Sequence, residues 1–214
     1  SADISLHLAW FTSYAAAKRA LEQGDASPMD LKLRHSLEVL ENARHTVEGE
    51  GFDPQTTRAC LLAALYHDVA RFEQYLRYHT FRDRESCNHG QMGVRILKAE
   101  RRLVGETPQM RKLVMAAVGM HNRFALPKGT PEDIALVTNV VRDADKLDIL
   151  RVMDEHLSGP APYNPTVVLQ QPDDPTIASE AILKAVRENR VAAYADLRCV
   201  NDFRLLLGTW FFDL

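Results

Sequence analysis

His67 and Asp68 stand side by side at the end of an apolar run, Cys60-Leu61-Leu62-Ala63-Ala64-Leu65-Tyr66. His35 precedes this pair, and His89, His121 and Asp145 follow it. Imidazoles and carboxylates are the groups with which proteins hold a catalytic divalent metal. Polar and charged side chains are rarely carried into an apolar helix without a partner that offsets their desolvation. The order His, His-Asp, His, His, Asp is enough for one ion and leaves room for a second.

The elements that must position these groups read as helices throughout, with no strand alternation. The first runs over about 4–22 and stops at Gly24. Ser27-Pro28 opens a second, which carries His35 and ends near Gly51. Asp53-Pro54 opens a third, which delivers His67-Asp68. A polar stretch over about 78–87 precedes a helix over about 88–102. Thr107-Pro108 starts the next, reaching His121-Asn122, and Thr130-Pro131 opens the one that carries Asp145. Prolines 160, 162, 165, 172 and 175 then interrupt any helix and mark a proline-rich loop at about 158–176. Helical periodicity resumes over 177–212. The expectation is an all-α, single-domain helical bundle spanning 1–214. Inward-facing side chains from separate helices can converge on a metal in such a bundle.

Among the aspartates of Arg142-Asp143-Ala144-Asp145-Lys146-Leu147-Asp148, Asp145 continues the apolar face of Val137 and Val141. Asp148 lies on nearly the same stripe and remains open, whereas Asp143 points elsewhere and is expected to be solvated. His7, His45, His79 and His156 fit no ligand pattern.

The chain has 214 residues, 46% of them hydrophobic, and a formal charge of -3, so no broad basic field points to nucleic-acid polymers or anionic lipid. No apolar run is long enough to span a bilayer. The opening residues lack the basic and apolar regions of a secretory signal. Cys60, Cys87 and Cys199 have no paired spacing, which suits reduced thiols. The expected location is the cytoplasm.

His35, His67-Asp68 and Asp145 resemble the H…HD…D signature of the HD-domain superfamily of metal-dependent phosphohydrolases. The stretches His67-Asp68-Val69-Ala70-Arg71-Phe72-Glu73-Gln74, Ser86-Cys87-Asn88-His89-Gly90, His121-Asn122 and 142–148 resemble blocks of a bacterial subgroup. His89 and His121 match the longer H…HD…H…H…D pattern of its two-metal members. The resemblance implies one ion on His35, His67, Asp68 and Asp145, and a second on His89 and His121 with Asp68 bridging. It implies one or two divalent ions (iron, manganese, magnesium, cobalt or zinc) and hydrolysis of a phosphate ester or diester by metal-activated water. The substrate would be a nucleotide or another small phosphorylated metabolite. Asp68, Arg71 and Lys146 are the expected catalytic residues, the two cations serving the phosphoryl charge. The alternative is a diiron oxygenase built on the same ligands. Asn122 is open between substrate contact and helix capping. Arg77, Arg82 and Arg84, interleaved with Asp83 and Glu85, read as a solvated face. Oligomeric state stays open.

Overall fold

The computed structural model describes residues 3–212, and among them every regular element is helical. The chain divides into two compact units, Ser1–Asp148 and Ile149–Leu214.

In the first unit, α1 covers Ser5–Arg19, α2 Ser27–Glu50, α3 Pro54–Tyr66, α4 Ala70–Tyr78, α5 His89–Ala99 and α6 Pro108–Met120, and α7 (Glu132–Leu157) begins there. Local chemistry sets these limits. α2 begins with a proline in its first turn and ends at Gly51, whose φ of 64° only glycine adopts at little cost. Asp53 caps α3 by accepting from the Gln55 and Thr56 amides. Asn88 caps α5 through the Gln91 amide, and Thr107 caps α6 through the Met110 amide. α4 ends where His79 turns left-handed at φ 48°. The first helix is shorter than its periodicity predicts, and Ser27 lies inside α2, with Ala26 at the cap position.

α3 is the central helix. Each residue from Ala59 to Tyr66 is buried, so this helix has no polar face and must be surrounded. α2 and α6 pack along it, α5 packs on α6, and α1 lies against α2, α3 and α4. Burying Leu61, Leu62 and Leu65 completely is worth about 2 kcal/mol each relative to exposure. This packing fixes the C-terminal end of α3, where the His-Asp pair emerges.

The second unit contains α8 (Glu180–Arg187) and α9 (Val200–Thr209), packed against each other. The helical pattern expected over 177–212 is thus broken into two helices by 188–199. Asp202 joins them. Its buried carboxylate accepts from the Ser179 amide at 2.6 Å, the Ser179 hydroxyl at 2.5 Å and the Arg198 amide at 2.8 Å. One anion therefore serves both helix N-termini, where backbone donors lack partners.

Burial alone would raise the Asp202 carboxyl; the Ser179 hydroxyl and amide and the Arg198 amide more than offset it and hold the group below its usual value. A depressed carboxyl contributes stability above its unfolded-chain pKa, about 3.9, and gives it up as pH falls through the folded value. Asp202→Ala is expected to destabilise the second unit by about 3 kcal/mol at neutral pH. The melting-temperature gap to wild type should then narrow below about pH 4. A gap constant between neutral and strongly acidic buffer would remove the carboxylate's charge from this account.

Candidate metal centre

The two residues of the His67-Asp68 pair occupy the turn between α3 and α4, just past Tyr66. His35 comes from the middle of α2, His89 from the first turn of α5, His121 from the C-terminal cap of α6 and Asp145 from α7. All six ligand positions expected from the sequence are brought together. His35, His67 and Asp145 form one group, and Asp68, His89 and His121 another; within each, the donor atoms lie within 4.8 Å of one another. The rings run in a file, with centroids 5.4 Å apart for His35 and His67, 5.2 Å for His67 and His121, and 4.9 Å for His121 and His89.

Asp68 stands between the groups. Its Oδ2 is 3.6 Å from His35 Nε2 and 3.7 Å from His67 Nε2. Its Oδ1 is 3.4 Å from His89 Nε2 and 3.9 Å from His121 Nε2. Asp145 Oδ1 lies 3.1 Å from His35 Nε2 and 3.9 Å from His67 Nε2. Asp145 is the least enclosed of the six, with a side chain 23% exposed, so the centre opens to solvent on its side.

Each imidazole is oriented through its other nitrogen. His67 Nδ1 donates to the Ala64 carbonyl at 2.7 Å, and His121 Nδ1 to the Val118 carbonyl at 2.8 Å. His35 Nδ1 donates to Asp148 Oδ2 at 2.6 Å, and His89 Nδ1 to Asp83 Oδ2 at 2.7 Å. A carbonyl or carboxylate acceptor fixes the tautomer with the proton on Nδ1 and the Nε2 lone pair facing inward. Burial keeps His67 and His89 neutral and, with the neighbouring His89 and His67, pushes His121 down to about 3. The Nε2 atoms of His89 and His121 face each other at 3.0 Å, lone pair to lone pair, with no proton to share. A cation between them is what this arrangement fits. His35 differs: burial and Lys32 lower it, but Asp145 and Asp148 prevail and raise it, so a proton competes with an ion for its Nε2.

Burial alone would raise the Asp68 carboxyl; Lys32 and Arg71 hold it well below the usual carboxylate range. Arg71 Nε donates to Asp68 Oδ1 at 3.1 Å, while Glu73 pairs instead with Lys18 and Arg77. The expected cation is therefore at the centre. Lys146 Nζ sits 3.7 Å from Asp143 Oδ1, its side chain 12% exposed. Asp148, left open by periodicity, is buried behind His35 as its acceptor.

Two residues were not anticipated. Asp83 read as part of a solvated face, yet it accepts from His89, Arg71 Nη1, Gln74 and Asn122. Lys32 has its Nζ 2.8 Å from Asp68 Oδ2. The signal available for Lys32 was its placement one turn before His35 on the same face of α2. Asn122, open between substrate contact and helix capping, directs its amide to Asp83 beside His89.

Gly90 lets α5 approach this end of α6. A Cβ there would lie 2.9 Å from the Val118 carbonyl oxygen, which orients His121, and 2.9 Å from Asn122 Oδ1. Gly90→Ala is expected to cost about 1–3 kcal/mol through overpacking. It should also weaken metal binding at the His89–His121 group about tenfold. Thermal melting and metal titration of the variant check both, and wild-type behaviour in each would mean that α6 yields freely.

An all-α scaffold presenting two adjoining His/carboxylate groups is a helical protein whose side chains could hold metal ions. The family model for the HD domain matches residues 33–150, more than half of the chain and a span that contains all six candidate ligands. The chain belongs to the HD-domain family, a superfamily of metal-dependent hydrolases. No curated protein and no solved structure matches it. Among the described residues, no helix is long and apolar enough to cross a membrane.

Proposed function

We propose that the protein is a metal-dependent phosphohydrolase that cleaves a phosphate ester or diester of a small molecule such as a nucleotide. The observation that carries this reading is Asp68, whose two oxygens face two different histidine groups while Arg71 lies against one of them. His35, His67, Asp68 and Asp145 would hold one divalent ion, and His89 and His121, with Asp68 bridging, a second. Such ions supply Lewis acidity toward phosphoryl oxygens and activation of water at neutral pH.

The chain's own groups do the rest. Four imidazoles locked by Nδ1 acceptors aim their Nε2 atoms inward, three of them held toward the neutral form, while His35 must release a proton to bind an ion. Arg71, held by Gln74, the Phe81 carbonyl and Asp83, cannot swing away and keeps a fixed positive charge for the transition state. Lys146, one residue past Asp145, is the second cation assigned to that charge. The open side at Asp145 admits substrate.

The test is phosphate release from a panel of nucleotides and phosphate esters, each with manganese, iron, cobalt or magnesium, against an Asp68→Ala control. Release by wild type alone is the expected result. Silence from metal-loaded protein, with dioxygen consumed and no phosphate freed, would transfer the site to a diiron oxygenase.

A further inference from the structure

Lys32 has no part in the ligand set, yet it enters the centre as closely as Arg71 does. It stands on α2 one turn before His35, its side chain 18% exposed, with Nζ 2.8 Å from Asp68 Oδ2. Arg71 reaches the other oxygen of the same carboxylate from α4. Both cations lie against one ring: Lys32 Nζ is 5.6 Å and Arg71 Cζ 5.7 Å from the Phe81 centroid.

Their donors are only partly used. An ammonium has three N–H groups, and among the described residues Asp68 is the one side chain that accepts from Lys32. Arg71 spends Nε and Nη1 on protein acceptors, and Nη2 has none among the described residues. Two cations thus flank the bridging carboxylate, each with N–H groups to spare.

We propose that Lys32 is a substrate-binding residue of this centre, donating with Arg71 Nη2 to the oxygens of the bound phosphoryl group. The inference rests on the phosphohydrolase assignment above. A role confined to balancing Asp68 explains the geometry less well. Arg71 already provides that balance, and a fixed positive charge beside a ligand carboxylate opposes the binding of divalent ions. A centre that only held metal would hold it more tightly with a neutral residue at this position. A compact ammonium with rotatable donors suits a tetrahedral oxyanion.

The experiment uses the full chain loaded with manganese and inorganic phosphate as the probe, comparing wild type, Lys32→Gln and Lys32→Arg. Metal content, phosphate affinity by calorimetry, and KM and kcat on whichever ester is cleaved are measured for each. Lys32→Gln is expected to keep its metal and to lose roughly 10–100-fold in phosphate affinity, from one charge-assisted hydrogen bond. Its KM should rise more than its kcat falls, and Lys32→Arg should recover part of the loss. Wild-type phosphate affinity in Lys32→Gln would overturn the proposal while leaving the phosphohydrolase standing on wild-type turnover. Loss of metal from Lys32→Gln would also overturn it, making Lys32 a positioning residue for Asp68. Failure of wild type to bind phosphate or to cleave any ester would remove both together.

Discussion

Asp68→Ala is expected to abolish turnover, by at least about 10³-fold or 4 kcal/mol of transition-state stabilisation, and to empty the centre of metal. The chain should remain folded. Asp68 lies in a turn beyond α3, and none of the helix caps depends on it. Its removal leaves Lys32 and Arg71 facing each other without their shared anion, so the melting temperature should fall while far-ultraviolet circular dichroism keeps its helical form. Metal analysis after dialysis, alongside kinetics, checks the prediction. Full metal content with full turnover in this variant would sink the assignment of Asp68 as the residue shared by both groups.

Asp83→Ala should have the next largest effect on the centre. Asp83 is where four side chains meet: His89 Nδ1 at 2.7 Å, Asn122 Nδ2 at 3.1 Å, Gln74 Nε2 at 3.1 Å and Arg71 Nη1 at 3.2 Å. Burial would raise its carboxyl, but the hydrogen bond from His89, the charge of Arg71 and the Gln74 amide outweigh it and hold the group low. Without it, His89 loses the acceptor that fixes its tautomer, and Arg71 loses one anchor. Removing such an outer partner typically costs 10–100-fold in metal affinity or activity, and about that loss is expected here. Asp148→Ala is the matching change behind His35. Metal titration of the two variants should show each weakening its own group first. Affinities within twofold of wild type would mean that these imidazoles hold their orientation unaided.

The sequence made the candidate ligands legible because a His-Asp pair at the end of an unbroken apolar run is costly to bury without a partner. Helical spacing then chose Asp145 over Asp143, whose side chain is 46% exposed. The partners of those ligands were hidden for reasons of distance and context. Asp83 sits between Arg82 and Arg84, where local composition argues for solvent. Only the fold of the 79–88 segment, pinned by Gln74 to Ser86 Oγ and the Cys87 carbonyl, turns it inward. Lys32 is an ordinary charged residue by helix propensity, and what distinguishes it is contact with Asp68, 36 residues away. Periodicity also failed across 188–199, where a stretch of helical composition breaks between α8 and α9.

The way the four histidines are tethered sets an order of assembly. His67 and His121 are each oriented by a carbonyl three residues back, and His89 by an aspartate six residues back. These three acquire their geometry as soon as their own helix ends and the adjoining loop exist. His35 depends on Asp148, 113 residues distant, and closing so long a loop is entropically the slower and costlier event. The His89–His121 half of the centre is therefore a local product of the chain, whereas the His35–Asp145 half matures only when α7 docks. If a nascent chain takes up metal, the group of Asp68, His89 and His121 is the one that exists to receive it before α7 has docked.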